Sequence, residues 1–114
     1  MADRKKRGRL SRSGDFDRVY RDGRSQANRY LVLYAFPRTE QPGTDGVRLG
    51  ISVSRKVGGA VERNAVKRAL HEAFWALEAG GAPEHDFVIV ARPDSAGLVE
   101  REGTGGVRAA LAEL

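Results

Sequence analysis

An α+β domain built on one mixed sheet of three to four strands packed with helices is the fold class that this sequence predicts, on three observations. The segments 30–36 and 47–54 are rich in β-forming residues and alternate between two kinds of side chain. A long segment from about Val61 to Ala79 instead has helical periodicity, and it is bracketed by Gly58-Gly59 and Gly80-Gly81. A third β-rich stretch, Phe87 to Arg92, follows that helix. With 114 residues the chain suffices for one core, so residues 1–12 are read as a basic flexible arm and 13–114 as a single domain.

Each element has its own local reason. The arm has too little apolar content to offset the entropy of ordering. Ser13 can cap a short first helix, Asp15 suits its positive end, and Gly23 is expected to close it in the left-handed conformation. Phe16, Val19 and Tyr20 share one face of that helix. Arg24 to Asn28 can add an edge strand beside the next one, Tyr30 to Phe36. There Tyr30, Val32, Tyr34 and Phe36 form an aromatic-rich face opposite Leu31, Leu33 and Ala35. A loop through Pro37, Pro42, Gly43 and Gly46 leads to the strand Val47 to Ser54. In it Leu49, Ile51 and Val53 alternate with Arg48, Gly50, Ser52 and Ser54. If both aliphatic faces pack under the long helix, the other side of the sheet joins aromatic rings to small hydroxyl groups, a shallow groove edged by Phe16 and Tyr20. After Pro93, Ser95 can start a helix that Gly103 to Gly106 interrupt, and Val107 to Leu114 reads as a short terminal helix. The order is α-β-β-β-α-β-α, without internal repeats.

Charge points to a polyanion. The formal net charge is +5 and the pI is near 10.1. Arg4, Lys5, Lys6, Arg7, Arg9 and Arg12 give residues 1–12 a local charge of +5, and Arg55, Lys56, Arg63, Lys67 and Arg68 give residues 55–68 a charge of +4, whereas residues 78–114 carry −4. At roughly 100° per residue, Arg63, Asn64, Lys67, Arg68 and His71 span an arc of about 140° on the long helix. Val66, Ala69, Leu70, Ala73 and Leu77 lie outside that arc, with Phe74 at its boundary. A merely solubilising face mixes signs, but this arc contains no acid: Glu62 and Glu72 lie outside it. Trp75 falls on the basic side by angle and is expected to pack against the terminal segment.

Several chemistries are excluded. Without cysteine there is no disulfide, thiolate metal site or thiol nucleophile. His71 and His85 lack metal-site spacing, Ser52 in GISVS lacks the second glycine of a nucleophile elbow, and no phosphate-loop lysine motif occurs. The longest apolar run, Tyr30 to Phe36, is far too short for a membrane span, so a soluble cytoplasmic protein without membrane partners is expected.

Four stretches in order, RLSRSGDFDRVYRDGR, RYLVLYAFP, RLGISVSRKVGGAVERNAVKRALHEAF and DFVIVARP, resemble the protein subunit of bacterial ribonuclease P, from Arg9 to about Pro93. The third is the most specific, because a strand, a glycine turn and an RN-x-x-KR helix occur as one unit. The resemblance implies a left-handed β-α-β crossover through the signature helix. It also implies a subunit of an endoribonuclease that removes the 5′ leader of precursor tRNA. Catalysis would belong to the RNA subunit, which would hold the Mg²⁺ ions, with no metal bound tightly by the protein. The expected partners are the catalytic RNA, in a 1:1 complex, and precursor tRNA. Carried over by position, Arg55, Lys56, Arg63, Asn64, Lys67, Arg68 and His71 would contact the catalytic RNA; Phe16, Tyr20, Tyr34 and Ser52 would form the leader groove. The family commonly has arginine where this chain has Ala65 and His71. The alternative is a non-catalytic ribosomal or RNA-assembly protein that binds structured RNA through the same helix.

Overall fold

The computed structural model describes residues 7–9, 13–37, 47–77 and 85–114. Along them run β1 (Arg7–Arg9), α1 (Ser13–Asp22), β2 (Arg24–Ala27), β3 (Leu31–Pro37), β4 (Val47–Val53), α2 (Ala60–Leu77), β5 (His85–Ala91) and α3 (Ser95–Ala112). The strands form one sheet in the order β1-β4-β5-β3-β2. β4 runs parallel to both β1 and β5, whereas β3 is antiparallel to β5 and β2, so the sheet is mixed as expected. The connection from β4 through α2 to β5 joins parallel neighbours, as a β-α-β unit must.

Two expectations need correction. The basic segment is not wholly a free arm: Arg7–Arg9 pairs with Val47, Arg48 and Leu49, making five strands where three to four were expected. Backbone hydrogen bonding to an open edge of β4 suffices for this, and a three-residue RGR strand needs no apolar alternation. Gly23 does not adopt a left-handed conformation. A Cβ there would lie 2.6 Å from the Val19 carbonyl oxygen and 2.8 Å from that of Ala35, so glycine is required by close approach of α1 to β3. The loop expected between residues 38 and 46 and the helix stop at Gly80 and Gly81 lie outside the described residues.

Register sorts the side chains. Leu33 pairs with Ile89 and Ile89 with Ile51, while Leu31 and Val53 both pair with Ala91; this aliphatic face carries the main core. On it pack Val66, Ala69, Leu70, Ala73, Phe74 and Trp75 of α2 and Leu98, Val107, Ala110 and Leu111 of α3, all buried. Full burial of a side chain such as Leu70 stabilises by roughly 1.5–3 kcal/mol. The opposite face supports α1 through a smaller cluster in which Val19 meets Val88, beside Phe16, Tyr34, Phe36 and Val90.

Local chemistry sets the helix ends. The Gly59 N–H donates to the Glu62 carboxylate at 3.0 Å, and the Arg63 N–H donates to the Gly59 carbonyl at 2.9 Å, which caps α2. α3 bends at Gly103, where φ is 64° and ψ −156°, so the expected interruption appears as a kink between two helical halves. Asn28 ties the C-terminal end of α3 to the start of β3. Its Oδ1 accepts from the Tyr30 and Leu31 N–H groups at 3.0 and 2.9 Å, while its Nδ2 donates to the Ala110 carbonyl at 2.8 Å. No described helix is long and apolar enough to cross a membrane.

Candidate nucleic-acid interface

The stripe that fastens α2 to the core determines what its other side can present. Leu70 is wholly buried, whereas Asn64, Lys67, Arg68 and His71 are exposed and Arg63 is half-buried. The turn 55–57 after β4 adds Arg55 and Lys56, both exposed, and is closed by the Val57 N–H donating to the Ser54 carbonyl at 3.1 Å. These seven predicted residues therefore come from one continuous strand-turn-helix segment. Among the described residues, none of its five cations pairs with an acid, while Arg18, Arg21, Arg29 and Arg48 all do. The nearby acids are otherwise engaged: Glu62 caps the helix, and Glu72 accepts a hydrogen bond from the Thr104 hydroxyl at 3.4 Å. The Arg63 Nε is buried without a hydrogen-bond partner among the described residues. Unneutralised cations on consecutive turns of a rigid helix suit phosphate groups.

Trp75 does not join this face. It is 8% exposed and packs in the core with Val107, Ala110 and Leu111, its ring 4.9 Å from that of Phe74 and 6.2 Å from that of His71. α3 covers the flank on which helical angle alone would place Trp75 in solvent.

The groove residues also converge. Phe16 and Tyr20, one turn apart on α1, have ring centroids 6.2 Å apart, and Tyr20 meets Tyr34 of β3 edge-on at 4.9 Å. Ser52 of β4 hydrogen-bonds with the Tyr20 hydroxyl. Burial pushes the Tyr20 phenol up from its ordinary pKa, against a smaller downward pull from the Ser52 hydrogen bond. Tyr20 nevertheless remains 38% exposed, so part of its ring is open to a ligand. Of the predicted arm residues, Arg7 and Arg9 lie in β1, and Arg4, Lys5, Lys6 and Arg12 fall outside the described residues.

Sequence reasoning missed the charge cluster at one end of the groove. Asp86 of β5 is wholly buried and accepts two hydrogen bonds from Arg48 of β4, from Nε at 2.9 Å and Nη2 at 2.8 Å. Arg18 of α1 reaches Asp86 at 3.9 Å and Asp15 at 3.3 Å, and Asp15 is 3.7 Å from Arg48. The Asp86 hydrogen bond raises the Arg48 pKa further, with burial opposing it. The available signal was weak: alternation in DFVIVA puts Asp86 on the same side as Val88 and Val90, but its partner is 38 positions away.

A five-stranded mixed sheet with a glycine-turned basic helix on one side and clustered aromatic rings on the other defines a small α+β domain with a cationic face suited to a polyanion. The chain belongs to the ribonuclease P protein family, whose model matches residues 5–114. The ribonuclease P protein component of Listeria monocytogenes is 40% identical over 94 residues, covering 82% of this chain and 76% of that one. That of Halalkalibacterium halodurans is 41% identical over 103 residues, covering 90% and 84%. Among solved structures, the Staphylococcus aureus RNase P protein superposes with a TM-score of 0.77 at 34% identity, covering 92% of this chain and 93% of that one. The Thermotoga maritima RNase P protein gives 0.77 at 32%, covering 92% of each. The expected α+β fold and the expected family therefore hold.

Proposed function

We propose that this protein binds the catalytic RNA of ribonuclease P through Arg55, Lys56, Arg63, Asn64, Lys67, Arg68 and His71, and holds the 5′ leader of precursor tRNA in the groove of Phe16, Tyr20, Tyr34 and Ser52. The observation that carries the first half is the run of cations from Arg55 to Arg68, unpaired among the described residues, on a face whose neighbouring acids are tied up elsewhere. For the second half it is the cluster of rings around the partly exposed Tyr20. Stacking a base on such a ring is worth roughly 1–3 kcal/mol and tolerates any base, which suits leaders of varied sequence.

The reaction served is hydrolysis of one phosphodiester bond, giving a 5′-phosphate on mature tRNA. Protein side chains take no part in bond breaking; the Mg²⁺ ions reside with the RNA subunit. In a 1:1 cytoplasmic complex the protein supplies counterions between two polyanions, so less Mg²⁺ is needed for assembly and substrate binding. Arg4, Lys5, Lys6, Arg7, Arg9 and Arg12 add to that charge. Reconstitution tests the reading: with a matched ribonuclease P RNA, the protein should stimulate precursor tRNA cleavage at low Mg²⁺. Absence of stimulation would contradict it.

A further inference from the structure

α1 carries two of the groove's three rings, yet its apolar footing on the sheet is small. Among the described residues only Val19 and Val88 are buried in that contact, with Phe16, Tyr34, Phe36 and Val90 around them. What else fixes the helix is charge. Asp86, Arg48 and Phe36 stand side by side on neighbouring strands, Asp86 opposite both of the others. Arg18 lays its guanidinium 5.4 Å from the Phe36 ring centroid and reaches the buried Asp86 carboxylate, while Asp15, one turn earlier, reaches back to Arg48. Two ion pairs therefore cross between α1 and the sheet, anchored on the two-bond Arg48–Asp86 pair. At the far end of the helix, Gly23 allows backbone contact with β3.

We propose that Asp86 is a positioning residue for the groove: through Arg48 and Arg18 it locks α1 onto the sheet and so sets the spacing of Phe16 and Tyr20 from Tyr34. The inference rests on the leader-groove reading above. Among the described residues the cluster has two positive and two negative groups, so its role is to align the helix and not to attract phosphate. A wholly buried carboxylate already held by Arg48 is suited to this, because any tilt of α1 withdraws Arg18 from a charge that water does not reach.

The test uses reconstituted holoenzyme and two probes, precursor tRNA and leaderless mature tRNA. Arg18→Gln removes the helix half of the lock and leaves the Arg48–Asp86 pair intact. It should weaken precursor affinity about three- to tenfold and leave mature tRNA affinity, assembly with the RNA subunit and the salt dependence of binding unchanged. Asp86→Asn should do the same or more; if it fails to fold, Arg18→Gln decides. Combined with Tyr20→Ala, Arg18→Gln should add little, since both act through the same ring. Additive losses, a reduced salt dependence signalling a direct phosphate contact, equal losses on both probes, or no loss would each overturn the proposal. Tyr20→Ala alone separates the two readings. If it lowers precursor affinity and Arg18→Gln does not, the lock alone is wrong; if Tyr20→Ala itself has no leader-specific effect, the groove and the lock fall together.

Discussion

Leu70 and Arg68 are two residues apart on α2 and have opposite fates, one wholly buried and the other exposed. Leu70→Ala should therefore cost roughly 2–5 kcal/mol of stability, since a methylene-lined hole opens under the helix. Arg68→Ala should leave stability nearly unchanged and weaken RNA-subunit binding by about 1–3 kcal/mol. Denaturant midpoints beside binding isotherms check both, and Arg68→Ala proving as destabilising as Leu70→Ala would invert the helix faces. The Tyr20 phenol, held above its ordinary pKa by burial, favours its protonated form in the folded protein. Its contribution to stability is complete below the ordinary phenol range and is lost as pH rises through the raised value. Tyr20→Phe should accordingly flatten the alkaline limb of a stability-against-pH curve; an unchanged limb would deny that burial. Both faces of α2 were legible because helical angle alone separates them. Trp75 was harder, since it shares its core cluster with residues of α3, an element that begins only at Ser95.

At the scale of elements, α3 offers the sharpest contrast. Gly103 and Gly105 both have open space where a Cβ would go, but only Gly103 sits at positive φ, 64°. Gly103→Ala should thus cost about 1–3 kcal/mol from backbone strain alone, whereas Gly105→Ala, inside helix, should stabilise by about 0.5–1 kcal/mol. Thermal or denaturant unfolding distinguishes them, and equal effects would mean the kink is not fixed at Gly103. The glycine cluster was readable as an interruption in the sequence because glycine weakens helices, although which glycine bends could not be read. The alternation of β3 and β4 likewise revealed their faces. β1 was invisible, because an RGR strand is held by backbone pairing that leaves no pattern in side chains. The Asp86 cluster escaped for a related reason: its members lie on three elements, and only the parallel register of β4 and β5 brings Arg48 opposite Asp86.

For the whole molecule, the proposed function divides labour between two surfaces, a cationic helix face and an aromatic groove beyond the sheet. Assembly with the RNA subunit should be the steeply salt-dependent step, and Arg63→Ala or Arg68→Ala should each reduce its salt slope by about one. Leader binding should instead depend on rings. The direct measurement is holoenzyme affinity for precursor and for mature tRNA with Tyr34→Ala, at one fixed salt concentration and with circular dichroism to verify folding. A loss of about 1 kcal/mol or more for precursor tRNA, with mature tRNA hardly affected, is the predicted result. Equal losses for the two, or none for either, would contradict the division and make Tyr34 an ordinary packing residue.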